Sequence, residues 1–303
     1  RTVRYLTADV FTERPFGGNP LAVVPDADGL SSEEMRLIAR ELNLSETAFV
    51  LSPTNPAHTR RLRIFTPGTE LPFAGHPTVG TALVLCWTGE VALQGEQTAL
   101  VLEEGVGPVA VTVRAREGRA CFAEFTAARD PEEGPARDTL PPDRVSELVS
   151  LSAEELAPGE EARGFSSGVP FLFVPLRDVR ALGRAWLRTD LWQQRLAQAW
   201  APHVYVFARE GDRVRARMFA PAMGVTEDPA TGAAAAALAG YLARSGPEGP
   251  RRWVIEQGVE MGRPSRLEVE ADVRGGRATR VRVGGGGVLM GEGQLALPPG
   301  ERP

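Results

Sequence analysis

Two short segments carry the side chains best suited to chemistry. In each, a polar residue stands directly before proline: His76-Pro77 and Asp228-Pro229. Small and apolar residues follow in the manner of a helix, which predicts proline at the first helical position, where its missing N–H costs nothing. A helix N-terminus leaves amides unpaired and carries partial positive charge, so it favours a carboxylate or phosphate. Gly75-His76 and Glu227-Asp228 would stand at such entrances. Related by a pseudo-twofold axis, the two would face each other across a cleft and hold an anionic small molecule. Glu46 is the third candidate. It lies in Asn43-Leu44-Ser45-Glu46-Thr47, between a helix end and an apolar strand, where partial burial would suit a carboxyl to general acid/base work. Simpler roles compete with each. Asp before Pro is a good N-cap, His76 could be a satisfied interior histidine, and Glu46 could be a solvated turn residue.

The two segments belong to a longer internal repeat. Gly18-Asn19-Pro20 leads into Leu21 to Val24, and Gly168-Val169-Pro170 leads into Phe171 to Val174. Arg63-Ile64-Phe65-Thr66-Pro67 matches Arg217-Met218-Phe219-Ala220-Pro221. His76 to Ala82 matches Asp228 to Ala234. All three matches keep one order and lie about 150 positions apart, as a duplication requires; two copies are too few for a solenoid. Gly80 and Gly232 coincide in the repeat. Each costs about 1 kcal/mol in a helix relative to alanine, so close backbone approach is expected there, a contact between the two helices being one way to supply it.

Each copy reads as strand, helix, strand, strand, loop, helix. The first helix is predicted over Ser32 to Leu42. Ser31 and Glu34 fit a capping box, Leu30 and Met35 a hydrophobic staple, and Asn43 a stop. Thr47 to Leu51 reads as a strand, with Tyr205 to Ala208 as its counterpart. Val109 to Arg114 and Leu267 to Val273 alternate as strands do. Ala127 to Asp143, rich in Pro, Gly and charge, is the expected linker. Gly284 to Gly287 precedes a strand; no helix pattern follows it, so it does not read as a nucleotide loop. The fold class is therefore α+β: two similar, strand-rich domains, each with a helix packed on or within its sheet. The expected division is 1–126 and 127–283, followed by a C-terminal strand within 284–303.

Composition removes several chemistries. All 34 basic residues are arginine. Without lysine there is neither Schiff-base chemistry nor a pyridoxal phosphate linkage, and no Walker P-loop. A net charge of −5 without a basic stripe gives no support for nucleic-acid binding. Three histidines, His58, His76 and His203, lack metal-ligand spacing, which counts against a zinc site or metal hydrolase. Cys86 and Cys121 are too few for a disulfide framework, so a reducing, cytoplasmic setting is expected. No apolar run approaches a membrane span, and the N-terminus opens on a strand pattern rather than a signal peptide.

Taken together, Gly18-Asn19-Pro20, Asn43-Leu44-Ser45-Glu46-Thr47, Gly75-His76-Pro77-Thr78 and Glu227-Asp228-Pro229-Ala230-Thr231-Gly232 resemble the phenazine-biosynthesis PhzF-like isomerase family. Its wider superfamily is that of diaminopimelate epimerase. The resemblance covers essentially the whole chain. It implies two pseudo-twofold-related domains, each a β-barrel-like sheet around a central helix, with the C-terminal strand 284–303 returning to join 1–126 and the site in the cleft between the domains. It also implies a homodimer, no cofactor and no metal. The implied activity is a cofactor-independent isomerisation that moves a proton between carbons of a small carboxylate-bearing metabolite. Glu46 matches the residue that carries the proton. His76 and Asp228 match residues that assist and orient the substrate, while Asn19, Gly75, Thr231, Gly232 and Ala233 match the substrate-binding lining. Two departures stand out. The family often has serine where this chain has Ala233, so a substrate hydrogen bond would be missing, and a metabolite-binding protein without turnover is the rival reading. The epimerase relatives place a cysteine at each helix entrance, and this chain has none there, which disfavours two-thiol racemisation. The symmetry itself is incomplete, because His203 falls where the first copy has Glu46.

Overall fold

The computed structural model describes residues 1–136 and 140–297. Residues 137–139 of the expected linker and 298–303 of the expected C-terminal strand lie outside the described residues. The chain divides into two compact units: Arg1–Thr126 with Gly284–Pro303, and Ala127–Val283.

Unit 1 runs β1 (Thr2–Val10), β2 (Asn19–Val24), α1 (Ser32–Leu42), β3 (Glu46–Leu51), β4 (Arg60–Phe65), β5 (Glu70–Leu71), α2 (Gly75–Trp87), β6 (Gln97–Glu104), β7 (Gly107–Arg116) and β8 (Arg119–Thr126). β2 and β3 pair in parallel, as do β4 and β6, while β1–β2, β3–β4, β6–β7 and β7–β8 are antiparallel. The caps of α1 form as the sequence predicts. Ser31 and Glu34 close a reciprocal capping box, and Asn43 ends the helix in the left-handed conformation. Met35 and Ile38 anchor its inner face in an apolar cluster that also takes in Leu30, each burial stabilising by about 1.5–3 kcal/mol.

The helix α2 has no polar face. Every residue from Gly75 to Leu85 is buried, and the helix contacts β1, β2, β3, β7 and β8. A helix apolar all round can be stable in water only when enclosed; here strands enclose it. Gly80 makes the enclosure possible. A Cβ there would lie 2.5 Å from Leu21 Cδ2 and 2.6 Å from Val10 Cγ2. The close approach is thus between α2 and its own strands β1 and β2, rather than between two helices.

Unit 2 repeats this plan with β9 (Glu132–Glu133), α3 (Pro142–Leu148), β10 (Arg163–Ser166), β11 (Pro170–Pro175), α4 (Val179–Arg184), α5 (Thr189–Arg195), β12 (His203–Glu210), β13 (Arg213–Ala220), β14 (Val225–Asp228), α6 (Gly232–Ala243), β15 (Gly249–Gln257), β16 (Ser265–Arg274) and β17 (Arg277–Gly285). β11–β12 and β13–β15 are its parallel pairs, the counterparts of β2–β3 and β4–β6. α6, seven of whose twelve residues are alanine, is buried from Ala234 to Ala243 and contacts β10, β11 and β16. The copies differ where α1 would recur. Two short helices, α4 and α5, stand there instead of one. Arg217 accounts for the break: its Nη1 donates to the carbonyls of Leu182 and Ala185 at 3.3 and 2.6 Å, which satisfies carbonyls a continued helix would have bonded itself. The last strand, β18 (Gly287–Ala296), pairs antiparallel with β1 and belongs to unit 1. Among the described residues, no helix is long and apolar enough to cross a membrane.

Candidate active site

Parallel pairing at the start of β3 sets the position of Glu46. It stands opposite Leu21 of β2, at the end of the strand nearest the Gly18-Asn19-Pro20 turn. Gly18 has a φ of +64°, and a Cβ on it would fall 2.2 Å from the Val10 carbonyl oxygen; only glycine fits. The turn buries Asn19, whose Oδ1 accepts a hydrogen bond from Ser45 Oγ at 3.1 Å. This links the Asn19 turn to the residue before Glu46. The Pro20 carbonyl accepts a hydrogen bond from the His76 ring.

His76 is 4% exposed. Its Nε2 has no hydrogen-bond partner, so the ring nitrogen that donates to Pro20 is Nδ1. Burial holds the imidazole down at about pKa 3, and the ring is neutral at physiological pH. A neutral imidazole protonated on Nδ1 carries its lone pair on Nε2. That lone pair lies 3.5 Å from Glu46 Oε2. The arrangement is therefore a carboxyl opposite a neutral acceptor, and not an ion pair. Gly75 and His76 open α2, and their amides belong to the first turn, which has no intrahelical acceptors.

The prolines correct the sequence reading. α2 begins at Gly75, so Pro77 is its third residue; α6 begins at Gly232, so Pro229 lies outside it. His76 is thus inside a helix, while Asp228 ends strand β14. The N-cap of α6 is Thr231, whose side chain makes no capping bond. Its hydroxyl donates instead to Asp228 Oδ2 and accepts from Gln257 Nε2 at 3.0 Å. Gln257, fully buried, also donates to the Asp228 carbonyl at 2.7 Å and accepts from the Tyr205 hydroxyl at 3.1 Å. Gly232 is buried, whereas Ala233 is partly exposed. Unit 1 thus gathers Asn19, Glu46, Gly75 and His76; unit 2 gathers Asp228, Thr231, Gly232 and Ala233. His203 pairs with Phe171 on β11 as Glu46 pairs with Leu21 on β2. It is buried, and its pKa is held down at about 4 by that burial.

Two buried residues escaped the sequence reading. Glu104 ends β6 and Gln257 ends β15. Extending the repeat would have found them, since Val101-Leu102-Glu103-Glu104-Gly105 matches Val254-Ile255-Glu256-Gln257-Gly258. The glycines serve the same purpose. A Cβ on Gly105 would lie 2.7 Å from Pro72 Cα, and one on Gly258 would lie 2.6 Å from the Pro229 carbonyl oxygen. Each lets its strand end close against the loop before the central helix. The cysteines lie apart from this chemistry: Cys86 is near the end of α2, its thiol pushed up to about pKa 11 by burial, and Cys121 is exposed on β8. Among the described residues, no group of three or more His, Cys, Asp or Glu side chains could hold a metal ion.

Residues 8–293 match the family described as phenazine biosynthesis-like protein. An uncharacterized isomerase of Mesorhizobium japonicum is 42% identical, covering 98% of this chain and all of the relative. The trans-2,3-dihydro-3-hydroxyanthranilate isomerase of Pseudomonas chlororaphis is 40% identical, covering 97% of this chain and 99% of the relative. The crystal structure of a PhzF-family phenazine biosynthesis protein from Bacillus anthracis superposes with a TM-score of 0.87, covering 98% of this chain and 100% of that one at 24% identity, a likeness of fold. The chain belongs to the PhzF-like family and is an isomerase.

Proposed function

We propose that this isomerase moves a proton between two carbons of a small carboxylate-bearing metabolite without a cofactor, and that Glu46 carries the proton. The observation that supports this most is the Glu46 carboxyl lying 3.5 Å from the bare Nε2 of a buried, neutral His76. Ionised, Glu46 takes a proton from an activated carbon, and the electron pair left behind is spread onto the substrate's conjugated system. Protonated, it becomes a donor that His76 Nε2 can accept from and hold in one orientation. The same proton then returns to a second carbon on the same face, and Glu46 is again a carboxylate. A neutral histidine suits this cycle better than an imidazolium would, because a fixed cation would hold Glu46 ionised. The first-turn amides of α2 are suited to receive negative charge on the substrate. Asp228 joins the reaction through the family resemblance, as do the homodimer, the cytoplasmic setting and the lining residues Asn19, Gly75, Thr231, Gly232 and Ala233.

The test is solvent deuterium uptake into trans-2,3-dihydro-3-hydroxyanthranilate, the compound in the Pseudomonas relative's name, and into related unsaturated carboxylates. Wild type should exchange a carbon-bound hydrogen. Glu46→Gln should slow exchange by about 10²–10⁴-fold, the usual worth of a general acid/base. Equal exchange in the two proteins would remove Glu46 from the mechanism.

A further inference from the structure

Glu104 is a buried carboxyl with no part in the proton transfer above. Its Oε1 lies 2.8 Å from Thr78 Oγ1, and that hydroxyl also lies 2.8 Å from the Ala74 carbonyl oxygen. Oxygens this close need a hydrogen between them. A threonine hydroxyl has one hydrogen, and a carbonyl has none to give. Either the one hydroxyl hydrogen is shared between the two acceptors, or Thr78 donates to Ala74 and Glu104 supplies the hydrogen on the second line. The other carboxyl oxygen, Oε2, has no hydrogen-bond partner. That is tolerable for the C=O of an acid and costly for a buried carboxylate. Burial pushes this carboxyl up to about pKa 8, against the opposing pull of the Thr78 hydroxyl, which favours the neutral acid and its hydrogen on the second line.

Unit 2 supplies an independent comparison. Gln257 occupies the position of Glu104 in the repeat, at the end of the strand that pairs in parallel with the preceding hairpin. Its amide donates to Thr231 Oγ1 at 3.0 Å, and that hydroxyl in turn donates to Asp228. The relay is the same in kind: a neutral side chain donates to a threonine hydroxyl, which donates onward to the segment leading into the central helix. An amide is the nearest neutral analogue of a protonated carboxyl.

We infer that Glu104 is a positioning residue that works as a neutral carboxylic acid, locking the Ala74–Thr78 turn so that His76 presents Nε2 to Glu46. The inference rests on the His76–Glu46 pair being the reacting centre, but its test needs no substrate. Two measurements decide it. Infrared difference spectra at pH 7 between wild type and Glu104→Gln should show a protonated-carboxyl C=O band in the wild type alone. Nitrogen NMR of the His76 ring should show one neutral tautomer, protonated on Nδ1, in wild type and Glu104→Gln, and a mixture in Glu104→Leu. A fold-stability role alone would leave the tautomer of folded molecules unchanged. If Glu104→Leu does not fold, the band and the Glu104→Gln tautomer still decide. A carboxylate band in place of the acid band, or a Glu104→Gln ring as mixed as that of Glu104→Leu, would overturn the inference. Failure of the Glu46 exchange test with both signatures intact would instead point to the reaction as the error.

Discussion

The head of α2 in unit 1 and the head of α6 in unit 2 are built from equivalent strands, yet they hold their protons differently. Around α6, the Gln257 amide donates to the Asp228 carbonyl and to Thr231, and the Thr231 and Tyr205 hydroxyls donate to Asp228 and Gln257. Position for position, Glu46, His76 and Glu104 around α2 correspond to His203, Asp228 and Gln257 around α6, so only at Glu104 does a group that titrates stand where the other copy has one that does not. A duplicated scaffold thus carries at one strand end an amide, whose hydrogens are fixed, and at the other a carboxyl, whose hydrogen can leave. The difference teaches what a carboxyl adds at that strand end: its donor can be lost as pH rises, whereas the amide's cannot.

The matched arginines give the largest expected contrast. Arg63 on β4 and Arg217 on β13 coincide in the repeat. Arg63 bonds Glu70, whose side chain is 43% exposed. Arg217 bonds Glu227 through two nitrogens at 2.8 and 2.9 Å, with both side chains under 10% exposed, and also holds two backbone carbonyls. Removing one partner of a buried pair leaves an uncompensated charge, costing about 3–5 kcal/mol. An exposed pair contributes about 0–1 kcal/mol. Urea unfolding should therefore place Arg217→Ala several kcal/mol below wild type and Arg63→Ala within about 1 kcal/mol of it. Equal losses would mean that the α4–α5 break does not depend on Arg217.

The same contrast appears in pH dependence. His76 and His203 are held neutral by burial, with pKa values of about 3 and about 4 against an ordinary 6.5. The unfolded chain binds protons there that the folded chain does not, so their contribution is present above pH 6.5 and is lost as pH falls toward 3. Glu104 works in the opposite sense. Its folded pKa of about 8 exceeds the ordinary 4.5, so its contribution is complete below pH 4.5 and is lost as pH rises through 8. From these three groups, stability should peak near pH 6.5. The alkaline limb amounts to a few kcal/mol at most. Glu104→Gln should flatten that limb in thermal melts between pH 6.5 and 9 and leave the acid limb in place. An unchanged alkaline limb would show that Glu104 is already ionised in the native state.

Much of this was legible in the residues. The caps of α1 follow from Ser31, Glu34 and Asn43 because capping is local. The equivalence of Glu46 and His203 follows from the repeat, and the register on β2 and β11 reproduces it. The prolines misled because a proline fits a helix entrance without fixing which residue opens it: Pro77 is the third residue of α2, and Pro229 precedes α6. The split of α1's counterpart was invisible because it depends on Arg217 reaching carbonyls more than 30 residues away. The burial of Glu104 was hidden for a similar reason: Glu103 and Glu104 are adjacent identical letters, yet Glu103 is partly exposed and accepts the amides of Thr54 and Asn55. Which of the two is buried is a matter of which way a strand faces.

The smallest expected effect concerns Ala233. It stands at the first turn of α6, partly exposed among buried neighbours, where the family often carries a serine. Ala233→Ser should barely move stability, because a first-turn serine costs at most a few tenths of a kcal/mol relative to alanine. Its effect on turnover depends on the substrate. If the metabolite carries a polar group that family members bind through that hydroxyl, restoring it adds one hydrogen bond, about 0.5–1.5 kcal/mol or up to roughly tenfold in kcat/KM. For trans-2,3-dihydro-3-hydroxyanthranilate, a gain of that size would mark the chain as a weakened version of the Pseudomonas activity. A loss would mean that the alanine faces an apolar part of a different substrate, because a hydroxyl buried there without a partner is penalised. The sign of the change thus reports the polarity of the group lying over α6, even before the substrate is known.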